Sequence, residues 1–451
     1  MNKTTKKLLA GLLSLGGMMQ ASGAYAQTPD SVSMNLDKVL EVALSDNPTV
    51  QVANRTIEIQ KYAKKETIAG LFPTASVTAA GVKNLKLATM VMKVPDAPPM
   101  KIQMGRPYNY SLQGTVTLPL VVPQLWASLS VSQEQVELAV EQARESKVQT
   151  ISQVKKAFYQ LLLVRDSYDV LVASYNTARE SLDNIRNMYK YDKVSEYDTL
   201  TAYVQMVSLE PNILSTVNGI KLSEMNLKVL MGMDVNEPVK FEGHLSDYEE
   251  KLFSDLMILK DDNNTTLASN STLLQLDHQK NQLRLAEKIN KLGYLPTLAL
   301  QYQAGYSAMP EEFNPFKASY YGSQSLTLAL SWTLWDGSTL MKTKQNKLQL
   351  ENIEEQRDQI ARQLELAIES SLNSIETAAE QVVTNKQNVF SAERAYDISA
   401  KRYEVGSGTQ LEMNASETQR QSARLQYVQS IYDFVSAQAA LEETLGKTVC
   451  K

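Results

Sequence analysis

From Leu161 the chain places apolar side chains at Leu161, Val164, Tyr168, Leu171, Tyr175, Ala178, Leu182, Ile185 and Tyr189, at spacings that alternate between three and four. That is the seam of a helix packed lengthwise against other helices. Together with the residues ahead of it, the pattern predicts a helix over roughly 125–190. At about 1.5 Å per residue such a helix is about 100 Å long, well beyond what a globular domain needs. The same register returns 214 residues later, at Ile375, Ala378, Val382, Asn385, Val389, Ala392, Tyr396, Ser399 and Tyr403. Asn385 and Ser399 interrupt the apolar run without shifting its phase. A repeat of this length organises the rest of the chain.

The pattern ahead of each seam also recurs. Residues 33–70 read as a helix with Leu36, Val39, Leu40, Ala43 and Leu44 on one face, interrupted at Asn47-Pro48, where proline removes a donor and biases its predecessor away from helix. Residues 74–84 form a candidate strand. Residues 108–120 alternate cleanly, with Tyr108, Tyr110, Leu112, Gly114, Val116, Leu118 and Leu120 against Asn109, Ser111, Gln113, Thr115 and Thr117. Strict period-two alternation predicts a strand with one apolar and one polar face. Pro95, Pro98, Pro99 and Pro107 mark a long loop between these strands. After the first long helix, Asp192-Lys193-Val194 turns the chain into a returning helix from Ser195 to about Met231, and residues 232–264 read as irregular.

The second copy runs through a helix over 265–291 and then a strand with Leu298, Leu300, Tyr302, Ala304 and Tyr306 on one face. Its partner carries Leu326, Leu328, Leu330, Trp332 and Leu334. Asp336-Gly337 makes the corner into the second long helix, the turn at Glu404 to Gly408 follows, and a closing helix runs to about Leu445. Tyr294-Leu295-Pro296-Thr297 matches Phe72-Pro73-Thr74 at an offset of 223, so the first hairpin is longer than the second, in its proline-rich loop. The organisation is therefore a leader at 1–26, a first repeat at 27–264 and a second at 265–451, neither repeat with a core of its own.

Composition narrows the setting. Lys3, Lys6 and Lys7, the apolar run Leu8 to Met19 and Ala24-Tyr25-Ala26 read as a secretory signal with an A-x-A cleavage site. The formal charge of −5 becomes about −8 once those lysines are removed, a balance that argues against nucleic acid as a partner. Cys450 is the single cysteine, so an exported chain has no internal disulfide framework; it is either an incidental terminal thiol or an intermolecular link. No later stretch offers eighteen consecutive apolar residues, so a membrane would have to be crossed as β-strands.

Four strands with one apolar face cannot close a barrel, and open strand edges are not tolerated in lipid. Trp126, Trp332 and Trp335 fall near the strand-to-helix corners, where an aromatic girdle meets the membrane interface. A soluble sandwich could bury the same faces but would leave the long helices unexplained. Closure by several copies of the chain accounts for both. Leu36 to Pro48 (LDKVLEVALSDNP), the proline corner before each hairpin and Arg402-Tyr403-Glu404-Val405-Gly406 at the second turn resemble the TolC family of outer-membrane efflux proteins. The resemblance spans nearly the whole mature chain and rests on the order and spacing of motifs that are weak singly. It implies an α+β, mostly α fold: a long coiled-coil-like helical barrel, with four strands per chain contributing to a trimeric, 12-stranded transmembrane β-barrel. It further implies a homotrimer in the outer membrane of a Gram-negative bacterium, in contact with outer-membrane lipid. Its helices would extend into the periplasm, with a periplasmic adaptor and an inner-membrane pump as partners in efflux or type I secretion.

In that family the periplasmic end of the tunnel is a constriction lined partly by carboxylates, and the two turns here would form it. Asp198 and Glu412 lie nine residues after Tyr189 and Tyr403, in equivalent places. Three chains would offer six carboxylates able to favour cations. The same acids complete the capping-box patterns Ser195-Glu196-Tyr197-Asp198 and Thr409-Gln410-Leu411-Glu412, which require no transport role. Tyr189 and Tyr403 end the seams, either as core residues or as a gating contact. Gly406 and Gly408 supply turn geometry; the first turn has Asp192 where the second has Gly406. His244 and His278 are the only histidines and lie in different contexts. No catalytic triad, metal cluster or cofactor site is expected, and the chain does not read as an enzyme. The function expected is a passive exit duct opened by a partner pump; the alternatives are a periplasmic coiled-coil scaffold without a pore and a self-standing porin.

Overall fold

The computed structural model describes residues 32–92, 100–249 and 267–446. The leader, Pro95, Pro98, Pro99, the Asp261 to Asn264 run and Cys450 lie outside the described residues, as does most of the segment expected between Tyr248 and Leu259. The described residues begin with β1 (Val32–Met34), α1 (Leu36–Asp46) and α2 (Pro48–Ala69). The break falls at Asn47, whose side chain accepts from Thr49 N and caps α2, with Pro48 in the first turn where a missing N–H costs nothing. The expected helix over 33–70 is thus two helices, and its first residues are a strand.

Strands β2 (Thr74–Lys83) and β5 (Tyr108–Val121) enclose a further two-stranded ribbon, β3 (Ala88–Met92) with β4 (Met100–Met104), where the sequence predicts a loop. Next come α3 (Pro123–Lys190), α4 (Glu196–Val207), α5 (Glu210–Met231) and β6 (Val239–Phe241). The returning helix expected from 195 to 231 is interrupted at Ser208-Leu209, because Pro211 cannot donate in mid-helix and serves instead in the first turn of α5. The region read as irregular supplies β6, which pairs in parallel with β1. The chain then forms α6 (Ser271–Leu292), β7 (Thr297–Ala308), β8 (Tyr321–Ser331), α7 (Gly337–Glu404) and α8 (Gln410–Leu445). Trp332 and Leu334 lie past the end of β8. Helices α3 and α7 are each 68 residues long and start 214 positions apart.

β2, β5, β7 and β8 form one antiparallel sheet in that order. Directly paired residues share a face, so the register places Val77, Leu112, Val116, Leu118, Leu300, Tyr302, Leu326, Leu328 and Leu330 on one side. Ser76, Thr115, Gln303 and Ser325 lie on the other. A register shift between Pro119 and Val121 marks the corner into α3, a bulge at a proline that could not have donated to the ladder. Most of the apolar face is exposed in the single chain, and the outer edges of β2 and β8 are unpaired among the described residues.

The long helices are held together at mid-height. Phe158, Leu161, Leu162, Ile375 and Phe434 are fully buried in one cluster, with Val39, Leu227, Phe241 and Leu245 around them. This core draws on both halves of the chain. α3 packs against α2, α6, α8, α5 and α4, and α7 packs against α6 and α8. The α7 seam faces inward along its length: Ile375, Ala378, Val382 and Ala392 are buried. Asn385 fits the seam by donating to the Gln426 carbonyl at 3.3 Å, and Ser399 by bonding back to Tyr396 O at 2.9 Å. Apolar residues remain uncovered on the flanks, among them Ile59, Tyr62 and Leu214 on one side and Met341, Leu348 and Leu366 on the other. No helix of the described residues is long and apolar enough to cross a membrane.

Candidate functional site

The two interhelical turns lie at the end of the helices opposite the sheet, and they are closed in the same way. After α3, Asp192 N donates to Tyr189 O at 3.0 Å and Lys193 N to Met188 O at 3.1 Å; after α7, Gly406 N donates to Tyr403 O at 3.0 Å and Ser407 N to Arg402 O at 2.8 Å. Both turns pass through a left-handed residue, Asp192 at φ 54° and Gly406 at φ 77°. The aspartate therefore adopts the conformation that glycine takes in the second turn, in line with the tolerance of Asp and Asn for that region.

Each returning helix opens on a complete capping box. Ser195 Oγ accepts from Asp198 N at 3.3 Å and Asp198 Oδ2 accepts from Ser195 N at 2.9 Å. Thr409 Oγ1 and Glu412 Oε2 do the same, at 3.2 Å each. Asp198 and Glu412 thus hold their helix starts while remaining at the surface, Glu412 4.0 Å from the Arg402 guanidinium. Gln410, itself buried, donates from Nε2 to Asp198 O at 3.0 Å and ties one tip to the other.

The tyrosines that end the seams do not share an environment. Tyr403 leaves its own hairpin and packs on Leu182, Ile185 and Ala202 of the first, where burial and the nearby Asp198 carboxylate raise its hydroxyl pKa. Tyr189 is 44% exposed and is not a core residue of this chain. Gly408 lies against the backbone of Arg402 and Tyr403, its N–H donating to Arg402 O at 2.9 Å. Trp126, Trp332 and Trp335 are exposed at the sheet-to-helix corners, with Trp332 Nε1 donating to Tyr294 O at 2.9 Å.

Above the tips lies a group that the sequence reading passed over. Glu417 is only 7% exposed, and its Oε2 meets Arg420 Nη2 at 2.5 Å. The Arg420 guanidinium stacks 3.8 Å from the centre of the Tyr396 ring and donates to Thr177 Oγ1 at 3.2 Å, joining α8 to α7 and α3. Burial pushes the Glu417 carboxyl above its usual range against the opposing pull of Arg420 and Arg424. A signal was present: Met413, Glu417, Arg420, Ala423, Tyr427, Ile431 and Phe434 keep the three-four spacing of a seam, with two charges in positions that ought to be apolar.

At mid-height, His244 Nδ1 lies 2.8 Å from Asp166 Oδ1, whose other oxygen accepts from Leu245 N at 2.9 Å. Asp169 brings a third ligand-type atom within 4.8 Å of these. Asp166 is fully engaged in fastening the segment after β6 to α3. Its hydrogen bond raises the His244 pKa against a smaller opposing effect of burial. The separation of these residues in sequence had concealed their meeting.

An antiparallel sheet with an uncovered apolar face is thus joined to two 68-residue helices that end in turns followed by capped helices. Residues 264–447 match the outer membrane efflux protein family. The outer membrane protein TolC of Salmonella enteritidis is 23% identical over 297 residues, covering 64% of this chain and 59% of TolC. TolC of Escherichia coli K12 is 21% identical over 301 residues, covering 64% of this chain and 60% of its own length. The chain thus spans about three-fifths of the TolC proteins it matches. The crystal structure of the outer membrane protein VceC of Vibrio cholerae superposes with a TM-score of 0.69 at 14% identity, over 91% of this chain and 96% of VceC. The chain thus resembles outer membrane efflux proteins in sequence over residues 264–447 and is similar in fold to VceC over nine-tenths of its length.

Proposed function

We propose that the chain is one of three identical subunits of an exit duct that carries cargo across the periplasm and outer membrane, without an energy source of its own. One observation carries this reading: a four-stranded sheet exposes its apolar face and leaves both edges unpaired among the described residues while remaining attached to the long helices. In lipid that sheet demands closure, and three copies give twelve strands. The two halves of the chain are then copies of one unit, and the apolar residues on the flanks, such as Ile59 and Leu348, meet their counterparts on neighbouring subunits. Catalysis has no place in this scheme.

At the tips, the six carboxylates of Asp198 and Glu412 would ring the periplasmic mouth and favour cations, with Tyr189, left exposed, facing the next subunit. A periplasmic adaptor and an inner-membrane pump would dock there and loosen the seams. The scaffold alternative has no use for an apolar strand face, and a porin has no use for the helices.

The test is the native mass of detergent-extracted protein together with conductance in a planar bilayer. A trimer with low conductance, raised several-fold in the Asp198→Asn/Glu412→Gln variant, supports the duct. Those amides keep an oxygen for the caps and remove only charge. A monomer, or an assembly that does not conduct in any variant, refutes it.

A further inference from the structure

The ribbon β3–β4 has no counterpart in the second half of the chain among the described residues, and its composition is unusual. Alternation along paired strands places Met90, Met92, Met100 and Met104 on one face with Ala88 and Ile102, while Thr89, Val91, Lys101 and Gln103 occupy the other. Each of the four methionines is between 45% and 54% exposed. The ribbon continues from the end of the sheet that is remote from the helices. Its root is closed by Asn84 N donating to Pro107 O at 2.7 Å and by Asn84 Nδ2 donating to Arg106 O at 2.9 Å.

A stripe serving only to pack would favour β-branched or aromatic residues, which suit strands. Methionine is unbranched and flexible, and what distinguishes it is a soft thioether sulfur. Met92 stands directly opposite Met100, a placement with Cβ atoms about 4.5–5.5 Å apart, and Met90 is diagonal to Met100 at about 7–8 Å between backbones. Each sulfur lies two bonds beyond its Cβ on rotatable links, so three of them can turn toward one point above the face. Thioethers carry no proton to lose, and they select Cu(I) and chemically similar ions over calcium, magnesium or zinc. The described residues of the ribbon and its root, 84–92 and 100–107, include no carboxylate, and Arg106 at the root is paired with Glu311 at 3.8 Å. The ribbon itself therefore offers none of the carboxylate oxygens that hard cations need.

We infer that Met90, Met92 and Met100 form a binding site for a soft monovalent d¹⁰ ion, Cu(I) or Ag(I), on the ribbon. Its position outside the cell rests on the duct reading; the binding itself does not.

The experiment titrates full-length, detergent-purified protein with silver nitrate in chloride-free buffer, in a Cys450→Ser background so that the thiol does not compete. One Ag(I) per chain is expected, with affinity at least 100-fold weaker in the Met90→Leu/Met92→Leu/Met100→Leu variant. Leucine keeps the apolar area and removes the sulfurs, so a purely apolar docking face predicts no such difference. Bilayer conductance of the leucine variant should match that of its parent, which separates failure of this site from failure of the channel. Equal Ag(I) affinity in the two proteins, or absence of stoichiometric binding by the Cys450→Ser parent, overturns the proposal.

Discussion

Replacing Arg420 with methionine tests how the helices are locked together above the tips. The substitution keeps much of the apolar stem and leaves Glu417 buried without its partner. Breaking a buried pair in this way typically costs about 3–5 kcal/mol. The carboxylate has an escape, which is to take up a proton. From an unfolded value of 4.5, protonation at pH 7 costs about 3 kcal/mol at about 1.4 kcal/mol per pH unit, which sets the ceiling on the electrostatic part. At pH 5 the same ceiling is about 0.7 kcal/mol. Loss of the stacking on Tyr396 adds about 1 kcal/mol at either pH. Arg420→Met should therefore lower stability by about 4 kcal/mol at pH 7 and by about 2 kcal/mol at pH 5. Adding Glu417→Gln should restore most of the difference at pH 7. Chemical denaturation of the detergent-solubilised protein at the two pH values reads this directly. A loss that does not change with pH, or no rescue by the glutamine, would refute the reasoning. The wild type carries the same sign in milder form. The folded state holds the Glu417 proton more tightly than the unfolded chain, so this contribution is complete below pH about 4.5 and is lost as pH rises through the raised folded value.

Four further outcomes follow from the turns, the end of α5 and the corners. Ser195→Ala and Thr409→Ala should each cost about 1 kcal/mol at their helix start, seen as faster hydrogen exchange of the Asp198 and Glu412 amides, with mid-height amides unchanged. Gly406→Ala should cost about 1–2 kcal/mol for its left-handed backbone alone, since open space surrounds it. Gly232→Ala has a similar φ of 75° but would place its Cβ 2.4 Å from Asp46 O, beside the 2.6 Å hydrogen bond from Asn47 Nδ2 to Leu230 O, so its melting temperature should fall further than that of Gly406→Ala. Brominated lipid should quench the fluorescence of Trp126, Trp332 and Trp335, and equal quenching by a water-soluble agent alone would remove them from the membrane interface.

The sequence by itself determined the elements whose cause is local. Three-four spacing marked α3 and α7 because helical neighbours recur at that interval, alternation marked β5, β7 and β8, and hydroxyl-to-acid spacing marked both capping boxes. Each of these patterns is complete within a few residues of the position it describes. Pairing and environment were decided only by the tertiary structure. Tyr189 and Tyr403 lie 214 positions apart, each just before the end of a long helix, yet only Tyr403 finds a pocket, because its neighbours come from the other hairpin. Glu417 is buried only because α3 and α7 close over it, and Asp166 and His244 meet across 78 residues of chain. The proline-rich stretch concealed a ribbon because short strands of methionine carry little propensity of their own, and only the pairing of Met92 with Met100 turns them into one face. Local periodicity repeats wherever the sequence repeats; the contacts that give equivalent residues different roles arise only when distant segments pack.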